Sequence, residues 1–177
     1  MNILFLGPYS SPVREFLEAC GNTVYCTSSP IEQLRSDEHD YIVSHGYRHI
    51  IPEEICNKYY GRSVNLHISY LPFNRGADPN LWSWIDDTKK GVTLHEIAPQ
   101  VDAGRVLLKK QVWFGEYETL KTSYDKLQHE ILILFKSYWL EQFGTYHRTS
   151  DRRQVEHLLT KGWDTPVAEL RLEKPRF

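Results

Sequence analysis

The sequence predicts an α/β fold in which a mostly parallel sheet is flanked by helices, and two patterns carry this prediction. Short runs rich in β-branched and aromatic residues occupy positions 3–6, 23–27, 41–44 and 63–68. Segments with helical features lie between several of them. Strands that alternate with helices are typical of crossover units, whose strands run parallel.

The first helix is expected over 12–20, because Val13, Phe16 and Leu17 fall at helical spacing and Pro12 suits a first turn. Residues 30–36 have room for only about two helical turns, so the N-terminal region is expected to have an abbreviated crossover. Another helix is expected to start at Pro52, where acidic residues follow and favour the helix dipole.

The second half of the sequence predicts a loop-rich stretch over 69–80 and strands over 91–97 and 105–108. A long amphipathic helix is expected from about 120 to 143. The turn between these two strands contains Asp102 and Gly104. A short helix is expected near 152–159. We expect one domain over 1–177, with the site in 1–110 and the long helix and tail of 111–177 packed on it.

Composition excludes several classes of protein. With 21 basic and 23 acidic residues the net charge is −2, so the composition does not indicate the broad basic surface that binds a nucleic acid. No apolar run approaches the roughly 20 residues of a membrane helix. The N-terminus lacks a basic leader region, so a cytoplasmic location is expected. Three cysteines without metal spacing fit neither a disulfide framework nor a zinc site.

The segment 64–76 is the most informative part of the sequence. Asn65 and His67 are two apart on a predicted strand, so their side chains point to the same face. In open α/β sheets, ligand crevices lie beyond the carboxyl ends of the strands. Polar groups at the end of an otherwise apolar strand are therefore well placed for chemistry.

This segment resembles the folate-dependent formyltransferase superfamily. The family pattern Asn-x-His-x-Ser-x-Leu-Pro-x-x-Arg-Gly is matched by Asn65, His67, Ser69, Leu71, Pro72, Arg75 and Gly76. The downstream patterns Gly-x-Thr-x-His and Asp-x-Gly are matched by Gly91, Thr93, His95, Asp102 and Gly104. The resemblance covers about residues 41–110 and implies a Rossmann-like formyltransferase catalytic fold.

The resemblance implies that Asn65, His67 and Asp102 are catalytic. An amine that attacks a formyl group creates an oxyanion, which an amide and an imidazole N–H can stabilise. His67 can also carry the proton of the attacking nitrogen. A nearby carboxylate is expected to raise the pKa of His67. Whether Asp102 relays that proton or only orients His67 stays open, and the reaction requires no metal.

The resemblance also implies that N10-formyltetrahydrofolate is the cosubstrate. Its pocket is expected to involve His45, Gly46, Tyr47, Leu71 and Val101. The acceptor is expected to contact the first loop, with Pro8 and Tyr9, and two further residues, Arg75 and Trp82.

The expected acceptor is a nucleotide-linked amino sugar, because the segment 46–52 and the tail are similar to the sugar N-formyltransferases. Methionyl-tRNA is not the expected acceptor, because the protein is expected to lack the C-terminal domain with which methionyl-tRNA formyltransferases help bind RNA. Glycinamide ribonucleotide is disfavoured because the first loop, with two prolines and one glycine, is poorly suited to bind a phosphate through its backbone N–H groups. Acceptors like glycinamide ribonucleotide, hydrolysis of formyl-folate, a non-catalytic relative and a homodimer stay open. So do structural roles for the three main residues: a turn cap for Asn65, a satisfied buried histidine for His67 and a turn residue for Asp102.

Overall fold

The computed structural model describes residues 1–32 and 39–144. Residues 1–139 form one compact unit, and the described residues 140–144 belong to another. The strands are β1 (Asn2–Leu6), β2 (Thr23–Thr27), β3 (Tyr41–His45), β4 (Ser63–His67), β5 (Gly91–His95) and β6 (Val106–Gln111). The helices are α1 (Pro12–Ala19), α2 (Glu53–Lys58), α3 (Pro79–Ile85) and α4 (Leu120–Phe143).

The strands form one six-stranded sheet in the order β2-β1-β3-β4-β5-β6. The pairs from β2 to β4 are parallel, whereas β4, β5 and β6 pair in antiparallel fashion. The predicted class, a mostly parallel sheet flanked by helices, is confirmed. The expectation that 1–177 is a single catalytic domain stays a prediction.

Helices cover both faces of the parallel part of the sheet. On one face, Ile42 packs in a buried cluster with Ile55 of α2 and with Tyr59, which directly follows that helix. On the other, the ring of Tyr41 lies edge-on against Trp139 of α4, with ring centroids 5.6 Å apart. Because both faces are buried, these strands are nearly continuous apolar runs in the sequence.

The structure adds one element and extends another. α3 begins at Pro79, within the predicted loop, and β6 extends to Gln111. Most of the abbreviated crossover predicted over 30–36 lies outside the described residues. The short helix predicted near 152–159 lies wholly outside them. No helix in 1–32 and 39–144 combines the length and the apolar character that a membrane span requires.

Candidate active site

The antiparallel pairing of β4 with β5 brings two polar side chains face to face. Asn65 is the cross-strand partner of His95, and the Asn65 Nδ2 atom lies 3.0 Å from the His95 Nε2 atom. His95 Nδ1 donates to the Glu96 carbonyl oxygen at 2.7 Å, which fixes the ring. His95 thus holds the Asn65 amide in place.

The loop after β4 fixes the orientation of His67. His67 Nε2 donates to the carbonyl oxygen of Asn74 at 3.0 Å. Asn74 has a positive φ of 53°, a conformation that asparagine tolerates better than most residues. The hydroxyl of Thr93 holds the same loop, because it donates to the Ser69 carbonyl at 2.7 Å and accepts from the Leu71 N–H at 3.1 Å.

Asp102 reaches this pair from the turn between β5 and β6. Its Oδ1 atom accepts from Asn65 Nδ2 at 3.3 Å, and its Oδ2 atom accepts from the Gly76 N–H at 2.8 Å. The same Oδ2 atom is 3.6 Å from His67 Nδ1, and Oδ1 is 3.3 Å from His95 Nε2. The structure therefore brings Asn65, His67 and Asp102 together, and their catalytic role stays a prediction.

Burial sets the protonation of His67. Burial lowers the pKa of His67 and outweighs the opposing effects of Asp102 and of the Asn74 carbonyl. Asp102 does raise the pKa of His67, as expected, but the larger effect of burial leaves this pKa below its ordinary value. Burial alone raises the pKa of Asp102, but hydrogen bonding and charge from His95, His67 and Gly76 hold it below its ordinary value. The site at neutral pH pairs a neutral imidazole with a carboxylate.

The three side chains line one large open cleft with a volume of about 1710 Å³. Its walls include the segment 44–51, the segment 97–99 with Val101 and Asp102, and one side of α4. Both apolar and polar groups face the cleft, which is a usual composition for a small-molecule site.

The other predicted site residues divide into two groups. The cleft is lined by Pro8, Tyr9, His45, Gly46, Tyr47 and Val101. Three more lie outside its lining as far as the described residues go: Leu71, Arg75 and Trp82. Leu71 is buried behind the site, and Trp82 is half exposed on α3, where its neighbour Leu81 lines the cleft instead.

Sequence reasoning missed a chain of hydrogen bonds beside the site, centred on His45, which is the cross-strand partner of Leu66. His45 Nδ1 lies 3.0 Å from the Ser11 hydroxyl, and His45 Nε2 lies 2.9 Å from Gln128 Oε1. Burial lowers the pKa of His45, and the Gln128 contact opposes this effect only in part. Gln128 is 83 positions from His45, so no local pattern could have indicated the contact.

The sequence profile of the family described as Formyl transferase matches residues 20–135. The chain belongs to the formyl transferase family. The matched region contains both strands of the site, the Asp102 turn and α4 up to Phe135, so the geometry described above lies within the family's domain.

Two relatives of this family show how far the similarity extends. The methionyl-tRNA formyltransferase of Alkaliphilus metalliredigens is 38% identical over 124 residues, which are 67% of this chain and 40% of that protein. That of Fusobacterium nucleatum is 32% identical over 124 residues, with the same coverage. The chain thus spans about two fifths of the length of these relatives.

One solved formyltransferase matches almost the whole chain. PseJ from Anoxybacillus kamchatkensis is 38% identical, with a TM-score of 0.77 over 95% of this chain and 96% of that one. It was solved in complex with UDP-4,6-dideoxy-4-formamido-L-AltNAc and tetrahydrofolate. A sugar N-formyltransferase from Shewanella sp. is 20% identical, with a TM-score of 0.67 over 86% and 74% of the chains, and shares the fold.

Proposed function

We propose that this formyltransferase moves the formyl group of N10-formyltetrahydrofolate onto the amino group of a nucleotide-linked amino sugar. The observation that carries the proposal is the similarity to PseJ, which extends over nearly the full length of both chains at 38% identity. That protein holds a formamido sugar nucleotide together with tetrahydrofolate. We propose the cytoplasm as its location, where the free thiols of Cys20, Cys26 and Cys56 stay reduced.

The lining of the cleft fits a folate. Ile50, Ile51, Ile97 and Val101 offer apolar surface, and the backbone around Gly46 adds polar groups. A flat heterocycle with polar edges needs both kinds of contact. We propose that this wall binds the pterin of formyl-folate, which supplies the one-carbon group.

Asn65 is proposed to stabilise the negative charge that develops on the formyl oxygen. The two hydrogens of its Nδ2 atom face His95 at 3.0 Å and Asp102 at 3.3 Å. The longer contact to Asp102 is the weaker one, so a formyl oxygen can displace it while His95 keeps the amide in place. A donor that is already oriented needs no reorganisation during the reaction.

His67 is proposed to accept the proton of the attacking amine at Nδ1. Its Nε2 atom donates to the Asn74 carbonyl, so a neutral ring carries its lone pair on Nδ1. Asp102 Oδ2, at 3.6 Å, lies where it can stabilise the imidazolium that forms. In this proposal Asp102 orients and stabilises the base rather than removing the proton itself. As the bond between the formyl carbon and N10 breaks, the imidazolium gives that proton to N10, and tetrahydrofolate leaves.

Methionyl-tRNA is the second candidate acceptor, because the curated relatives with 32–38% identity over 124 residues act on it by name. An acceptor screen with formyl-folate separates these functions. The screen uses UDP-4-amino-4,6-dideoxy-L-AltNAc, methionyl-tRNA, glycinamide ribonucleotide and a sample without acceptor.

We expect formyl transfer to the amino sugar nucleotide at a kcat/KM at least about a hundredfold above that of the other amines. This ratio corresponds to a difference of about 2.7 kcal/mol in the free energy of transition-state binding. Transfer to methionyl-tRNA instead would replace the proposal by the second candidate. Release of formate without acceptor would indicate a hydrolase.

A further inference from the structure

Gln128 is a cleft residue whose amide has a fixed direction. It lies on α4 and lines the cleft with Tyr124, one helical turn away. Its Oε1 atom is 2.9 Å from His45 Nε2. A glutamine oxygen only accepts hydrogen bonds, so His45 Nε2 must be the donor in this contact.

The contact on the other side of the His45 ring is consistent with that assignment. A neutral imidazole carries one N–H, so a ring that donates from Nε2 accepts at Nδ1. The Ser11 hydroxyl, 3.0 Å from Nδ1, supplies the required proton. Ser11 is the N-cap of α1, and its oxygen also accepts from the Val13 N–H at 3.3 Å. Each hydrogen bond in this chain therefore has one donor and one acceptor.

The consequence concerns the nitrogen of the Gln128 amide. With Oε1 bound to His45, the NH₂ group is the polar end left over, and it has no hydrogen-bond partner among the described residues. This nitrogen is accessible rather than buried, and Gln128 lines the cleft. The NH₂ group of this cleft residue is therefore a donor that remains available to a ligand.

We infer that Gln128 is a specificity-determining residue that donates from its NH₂ group to an oxygen of the acceptor substrate, with Ser11 and His45 as positioning residues. The inference rests on the proposed function, because it assigns the acceptor to the part of the cleft that Gln128 lines. Pro8 and Tyr9 line the same cleft, and Ser11 ends the loop that contains them. This contact favours an acceptor that places a hydroxyl, carbonyl or phosphate oxygen next to the Gln128 NH₂ group. It disfavours an acceptor that places an N–H group at the same position.

The test is the substitution Gln128→Glu. The carboxylate keeps an acceptor for His45 Nε2 but replaces the NH₂ group by an oxygen, which repels an acceptor oxygen. We expect the KM for the amino sugar nucleotide to rise at least about tenfold, while kcat changes less than about threefold and the KM for formyl-folate stays constant. Asn57→Asp, the same amide-to-acid change at an exposed position of α2, is the matched control and leaves all three constants unchanged.

Two further variants separate positioning from mere stability. His45→Ala removes the group that orients the amide and should raise the same KM, whereas His45→Gln restores a donor to Oε1 and should recover most of the loss. Thermal melting and formyl-folate binding by calorimetry identify variants that fail to fold. An unchanged acceptor KM in a folded Gln128→Glu protein would overturn the inference, as would an equal rise in the KM for formyl-folate.

Substrate analogues identify the oxygen. The wild type should bind an amino sugar nucleotide that lacks the contacted oxygen about tenfold more weakly than it binds the parent compound. The Gln128→Glu protein should bind both compounds with equal affinity. Binding of these compounds by calorimetry needs no turnover. If the wild type binds them but transfers no formyl group, the proposed function fails while the role of Gln128 is still measured.

Discussion

Removal of the Asn65 amide or of the His67 imidazole is expected to lower turnover at least about a hundredfold. Asn65→Ala deletes the proposed oxyanion donor, and loss of one such donor typically costs about 10²–10³ in kcat. His67→Ala deletes the proposed proton acceptor. Steady-state formyl transfer with a saturating amino sugar nucleotide measures both effects.

The matched control for Asn65 is Asn57→Ala, which changes the same side chain at an exposed position of α2. It should keep wild-type turnover. Near-normal activity in a folded Asn65→Ala or His67→Ala protein would contradict the assigned roles.

The pH dependence of catalysis reports on the same residues. Because burial lowers the pKa of His67 from 6.5, kcat/KM should fall on the acid side with an apparent pKa below that value. Asp102 opposes this effect of burial, so Asp102→Asn removes a contribution that raises the pKa of His67. The acid limb of the variant should therefore shift to lower pH, although its rate is reduced.

The experiment is a pH–rate profile of kcat/KM for the wild type and for Asp102→Asn. An acid limb that moves to higher pH in the variant would show that Asp102 does not stabilise the protonated ring. The direction of the His67 pKa was not predictable from the sequence. The family resemblance places a carboxylate near the imidazole, but the depth of burial depends on how the whole site packs.

At the scale of single elements, the turn that carries Asp102 depends on Gly104. A Cβ atom at this position would lie 1.8 Å from the carbonyl oxygen of Glu96, far inside van der Waals contact. The same turn is paired to the end of β5 by the Glu96 N–H, which donates to the Arg105 carbonyl at 2.9 Å. Gly104 is thus a glycine because two backbone segments meet there.

Gly104→Ala is expected to displace this turn and move Asp102 away from Asn65 and His67. Activity should fall at least about tenfold, and overpacking should lower the free energy of unfolding by about 1–3 kcal/mol. Thermal melts and kinetics test this together. Gly115→Ala is the control, since a Cβ there meets no heavy atom within 4 Å; equal effects of both substitutions would contradict the explanation.

The regular elements differ in how well the sequence predicts them. β2 and α4 were predicted with the bounds that the structure has, because a β-branched run and a 24-residue amphipathic repeat are strong local patterns. α3 was missed: its seven residues follow Asp78, whose φ is +51°, in a stretch rich in turn formers. Its position depends on tertiary contacts, since Asn80 donates to the Leu120 carbonyl and Trp84 to Ser123.

At the scale of the whole molecule, His45 and His67, two histidines of the cleft, make stability depend on pH. Burial is the largest contribution in both, and it lowers the pKa of His45 and of His67 below the ordinary 6.5. Between the folded and unfolded pKa values the unfolded chain binds more protons. Stability should therefore decline as the pH falls below 6.5 and level off below the folded pKa values. Asp102, whose folded pKa is lowered, loses its contribution only as the pH falls below 3.8.

Urea unfolding at about pH 7.5 and about pH 5.5 measures this effect. The midpoint should be lower at the acid pH, and His67→Gln should reduce the difference. His49→Gln, at an exposed position, should leave it unchanged. A midpoint that rises on acidification would contradict the assignment of His45 and His67 as neutral groups.

The fold class and the family were predictable because they depend on patterns within short windows: alternating strands and helices, and the spacing around Asn65 and His67. The hydrogen bonds from Ser11 through His45 to Gln128 were not, since they join segments 34 and 83 positions apart. Such contacts depend on how α1 and α4 lie against the sheet, which no local pattern specifies.

The central claim is transfer of a formyl group from folate to the amine of a sugar nucleotide by the site around His67. Its most direct test is mass spectrometry after incubation with ¹³C-formyl-tetrahydrofolate and UDP-4-amino-4,6-dideoxy-L-AltNAc. We predict one labelled formamido group per sugar nucleotide with the wild type and at least about a hundredfold less with His67→Ala. An unlabelled sugar nucleotide from the folded wild type, or equal labelling by both proteins, would contradict the account.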